Sequence, residues 1–177
     1  GSVTSDSATL TVTAAGGPRV TNGLVALYTF EEGSGTTVHD VSGVGTALDL
    51  YAANAAAVSW VPGALSFDLA TLVASPTGAT KVIDAVTTSN AITVEAWVVP
   101  ANATQTGPAR MVTISLNATS RNVTLGQAAD MYDARLRTTV TSTNGIPSTT
   151  TPGGVAAAAL QHVVYTRDAS GVTKIYV

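Results

Sequence analysis

Three glutamates and two histidines, with a scatter of aspartates, are the side chains from which this chain could build acid–base chemistry. Hydrolysis of a glycosidic bond needs two carboxyl groups across that bond, one to protonate the leaving oxygen and one to attack or to activate water. Two carboxylates close together on one strand share a face only at i and i+2, because alternate side chains point the same way. Glu95 has Thr93 and Trp97 at those positions. Glu31 and Glu32 are adjacent, and Asp130 and Asp133 are three apart, so each pair would point to opposite faces of a strand. No two carboxylates of the chain stand at i and i+2, and the chain is expected not to be an enzyme. His39 sits beside Asp40, but no Gly-x-Ser-x-Gly context presents a serine to either histidine. With no cysteine there is no thiolate metal site and no disulfide.

The elements that must hold these residues read as strands. Thr and Val are abundant, and both are stiff at χ1 and favour extended backbone. Ala8 to Thr13 alternates apolar residues with Thr, and Ala14 to Pro18 then reads as a linker. Gly23 to Phe30 is nearly continuous in apolar residues, as for a strand buried on both faces. Ala91 to Val99 carries the clearest alternation, with Ile92, Val94, Ala96 and Val98 on one side and Thr93, Glu95, Trp97 and Val99 on the other. Further strands are expected at Val58 to Val61, Ala64 to Asp68, Met111 to Leu116, Asn122 to Gln127, Tyr132 to Val140, His162 to Arg167 and Thr173 to Val177. No segment has a convincing helical period. Many short strands without intervening helices predict an all-β antiparallel sandwich.

Composition narrows the partners. Only 11% of the 177 residues are charged, and the net charge is −3. Nucleic-acid binding, which needs clustered Lys and Arg, is excluded. No apolar run approaches the roughly 18 residues of a membrane-spanning helix, so no membrane insertion is expected. Abundant Thr with few charges is typical of exported bacterial β-domains, so an extracellular or cell-surface location is expected.

The motifs resemble a known family. Gly23-Leu-Val-Ala-Leu-Tyr-Thr-Phe-Glu-Glu-Gly-Ser-Gly-Thr-Thr-Val-His-Asp-Val-Ser-Gly-Val-Gly45 looks like the opening of a LamG-like jelly-roll domain of the concanavalin A-like lectin/glucanase superfamily. Val61-Pro-Gly-Ala-Leu-Ser-Phe-Asp68, Ile92-Thr-Val-Glu-Ala-Trp-Val-Val-Pro100 and His162-Val-Val-Tyr-Thr-Arg-Asp168 follow in the family's order. The resemblance implies a two-sheet jelly roll over residues 22–177, apparently truncated at its C-terminus, since family members continue past Ile175-Tyr-Val177 with further strands. Residues 1–15 resemble the last strand of a bacterial immunoglobulin-like domain, joined through a linker at 16–21.

By resemblance the module binds carbohydrate or mediates adhesion within a larger secreted or cell-surface bacterial protein, with a polysaccharide or glycan and neighbouring domains of the same chain as partners. A ligand-free spacer, or an accessory module of a glycoside-acting enzyme, are the alternatives. Glycan contact calls for aromatics that stack on sugar rings and polar groups that bond hydroxyls. Trp60, Tyr132, Arg135 and Arg137 are the candidates, and Trp97, in the family's structural strand, is expected in the core. No cofactor is expected, apart from a structural calcium ion that related jelly rolls often hold near the Asp-x-Ser-Gly turn. Asp40 and the carbonyls of Val41 to Gly45 would supply some of the six to eight oxygens calcium needs. The competing reading makes Asp40 an Asx turn without metal.

Overall fold

The computed structural model describes residues 20–177. The immunoglobulin-like strand expected at 1–15 and most of the 16–21 linker lie outside the described residues. Within them the chain forms β1 (Thr37–Val38), β2 (Leu50–Ala52), β3 (Val58–Val61), β4 (Ala64–Phe67), β5 (Val73–Ala74), α1 (Thr80–Ser89), β6 (Ile92–Val98), β7 (Gln105–Ser115), β8 (Arg121–Ala129), β9 (Met131–Leu136), β10 (Thr149–Thr150), β11 (Gln161–Arg167) and β12 (Thr173–Tyr176). All strand pairings are antiparallel. With one α-helix among strands, this is the expected all-β sandwich.

Two sheets make the sandwich, in strand orders β10-β9-β8-β7 and β12-β11-β6. Their facing sides share one core. Leu125, Tyr132 and Ala134 come from the first sheet and Val163 and Tyr165 from the second, with Ile92, Val94, Val98 and Ile175 packed around them. Each large side chain removed from water here contributes about 1.5–3 kcal/mol. The alternation in β6 puts Ile92, Val94, Ala96 and Val98 inward, as expected. Smaller sheets, β1-β2-β5 and the β3-β4 hairpin, cover the N-terminal part.

Three expectations are corrected. Gly23 to Phe30 belongs to no ladder, because its backbone is held by loop groups instead: Val41 N–H donates to Leu27 O, and Asp40 accepts from Leu27 N–H. Tyr132 to Val140 ends as a strand at Leu136, where Thr141 Oγ1 donates to the Leu136 carbonyl and turns the chain. Residues 80–89, expected without helix, form α1. Its Thr and Val content hid the half-buried stripe of Val82, Ile83 and Val86, and Asn90 closes the helix in the left-handed region at φ 53°.

Candidate functional site

The turn after β1 is organised by one carboxylate. Asp40 has no exposed side-chain surface. Its Oδ1 accepts from the N–H groups of Leu27 (3.2 Å) and Ser42 (3.0 Å), and its Oδ2 from Leu48 N–H (3.0 Å) and the Lys81 ammonium. Burial alone would raise its proton affinity. The bonds from Lys81, then Ser42 and Leu48, outweigh this and hold the carboxyl well below the usual range. Lys81 Nζ also donates to Val44 O at 2.8 Å. Lys81 thus bonds two of the oxygens expected for calcium, and Asp40 forms both an Asx turn with Ser42 and half of an ion pair. Asp49 extends the cluster, accepting from Asp40 N–H at 2.9 Å and lying 3.0 Å from His39 Nδ1. Nearby, Tyr28 donates to Leu48 O, and burial, then the charges of Asp40 and Asp49, push its hydroxyl up to about 12.

The outward face of the second sheet carries the most exposed aromatic pair. Trp97 stands opposite His162 in the β6–β11 register. The rings stack with centroids 4.3 Å apart and planes 9° from parallel. Trp97 remains 62% exposed, which corrects the expectation that it is core. The alternation of β6 already assigned it to the side away from Ile92 and Val94, and only the resemblance argued otherwise. Glu95 lies on the same face, its Oε1 3.0 Å from His162 Nε2. Val164 pairs with both Glu95 and Tyr176, which brings the half-exposed Tyr176 onto this face from β12. These groups form an aromatic platform beside a carboxylate.

The residues singled out from the sequence are dispersed. Tyr132 is buried in the core, its hydroxyl donating to Gln161 Oε1 at 2.7 Å, so it offers no surface to a ligand. Arg135 is mostly buried and paired with Asp133 at 3.0 Å. Arg137 is exposed just beyond β9. Trp60 borders an open depression of about 380 Å³ with Phe30, Glu31 and Pro62, its Nε1 donating to Gly35 O at 2.9 Å. Sequence reasoning missed Lys81 and the outward role of His162. Nothing local marks Lys81 as the partner of a residue 41 positions earlier.

Residues 74–177 match the Laminin_G_3 family, described as the concanavalin A-like lectin/glucanases superfamily. That match spans more than half of the chain, and the chain belongs to this family. No curated protein and no solved structure matches it.

Proposed function

We propose that this chain is a non-catalytic glycan-binding module of a secreted or cell-surface protein, with Trp97 as its contact platform. The observation that carries this reading is a tryptophan 62% exposed and held by a stacked imidazole. His162 covers one ring face and limits the rotamers of Trp97, so little side-chain entropy remains to be lost on binding. The open face suits the C–H face of a pyranose, which the negative charge of the π-cloud attracts. Glu95 is placed to accept hydroxyl hydrogen bonds, and its charge disfavours acidic sugars at this face. One platform gives weak binding, strengthened by repetition in the parent protein. Affinity electrophoresis against a panel of neutral polysaccharides tests this. Retardation lost in Trp97→Ala is expected. If the wild-type chain migrates freely through every polysaccharide, the spacer reading stands in its place.

A further inference from the structure

The first sheet turns a different chemistry away from the core. Register places Arg110, Thr113 and Ser115 of β7 opposite Gly126, Thr124 and Arg121 of β8, while Thr124 and Gly126 face Arg135 and Asp133 of β9. Bulges between Arg110 and Val112 and between Ile114 and Ser115 bring these polar residues to one side. Gly126 is required there, because a Cβ would lie 2.6 Å from Ala109 O. The face thus gathers three guanidinium groups around one carboxylate.

Its charges are unevenly matched. Arg121 is only 3% exposed. Its Nη1 donates to Thr124 Oγ1 at 3.4 Å and its Nη2 to Ala118 O, neither of them charged. Its Nε is buried and, among the described residues, has no acceptor. Asp133 gives Oδ2 to Arg135, with Nε and Nη2 each at 3.0 Å, and its buried Oδ1 has no donor. A buried cation hydrogen-bonded to neutral acceptors alone is costly, and unsatisfied buried polar groups in native folds commonly mark an ion or water. Burial first, and then the nearby charges of Arg135 and Arg110, weaken the hold of Arg121 on its proton, only partly offset by the charge of Asp133.

We propose that this face binds a small oxyanion, a phosphate, sulfate or carboxylate group, with Arg121 and Arg135 as its floor and the exposed Arg110 at its mouth. The Thr113 and Thr124 hydroxyls lie 2.7 Å apart beside the charge, and Thr113 donates to Val123 O at 3.1 Å, so the guanidinium groups supply the free donors. The loop after β9 closes one side, since Arg121 N–H donates to Thr143 O at 3.0 Å and Gly145 packs against Arg135. Because Arg121 is almost fully covered, the site takes a group of a few atoms rather than an extended chain.

Thermal unfolding of the full chain in sodium phosphate, sulfate or glucuronate, each against chloride at matched ionic strength, tests the proposal. The inorganic arms report a free anion and the glucuronate arm a carboxylate carried on a sugar. At least one arm is expected to raise Tm by about 3 °C at ten times its Kd. Excluded salts such as sulfate stabilise most proteins, so the reading is the difference between wild type and variants. Arg121→Met is expected to lose the anion-specific rise while unfolding in chloride at or above the wild-type temperature. Arg110→Gln, at the exposed mouth, is expected to fold normally and lose part of the rise, which keeps the test valid if Arg121→Met does not fold. Equal responses in wild type and Arg110→Gln, or no response in any arm, would overturn the proposal.

Discussion

Asp40 and Arg121 are both buried charges, and their surroundings differ. Asp40 receives three backbone N–H groups and an ammonium, which saturates its two oxygens. Arg121 has five donors to place and finds one carbonyl and one distant hydroxyl. The first arrangement is closed and organises a turn. The second is open and fits a missing counter-charge. Within one fold, saturation separates a charge whose hydrogen bonds are complete from one whose donors remain unmet.

Asp40→Asn is the strongest way to break this contrast. Asn has an NH2 group where Asp40 only accepts, and it leaves Lys81 without its counter-charge. A loss of about 3 kcal/mol is expected in urea unfolding. A loss below about 1 kcal/mol would mean that the turn does not depend on the carboxylate. Acid sharpens the same point. The Asp40 carboxyl is held below its ordinary value near 3.9, so the unfolded chain binds a proton first as pH falls. Its contribution is therefore complete above about pH 5 and is lost progressively as pH drops below that, by about 2 kcal/mol at pH 2.5, with Asp49 and Asp168 shifted in the same direction. Urea midpoints at pH 6 and pH 2.5 check this. Lys81→Met leaves Asp40 its three N–H donors, and about 1 kcal/mol is the expected loss, read from the same unfolding curves. Trp97→Ala, which removes the cross-strand stack on His162, is expected to cost just under about 1 kcal/mol while removing glycan retention. Smallest of all, millimolar calcium against EDTA should move the wild-type Tm by less than about 1 °C, because Lys81 already serves Asp40.

The two-sheet fold was legible because the β6 segment alternates cleanly and its outward residues are polar or aromatic. The strand at 173–176 follows the same rule, with Lys174 and Tyr176 outward. What escaped depends on distance or on competing propensities. α1 is rich in β-branched residues, and its helical state is supported by tertiary contacts such as Lys81 with the Asp40 turn. Arg121 reaches the polar face only because a bulge rotates it there, and single-residue bulges leave no mark on an alternating pattern. Trp97 shows the opposite failure, since its alternation gave the right face and the resemblance displaced it.

α1 spans about 15 Å for its ten residues, and each of its ends is fastened to a different part of the molecule. Lys81 in its first turn holds the Asp40 turn, and Asn90 at its end donates to Ala169 O at 2.8 Å and accepts from Arg167 at 3.1 Å. The helix is thus a tie rod between the N-terminal turn and the β11–β12 hairpin. Tension applied to that hairpin reaches Asp40 along the helix axis, so the Asp40 turn is loaded together with the sheet that contains β11 and β12.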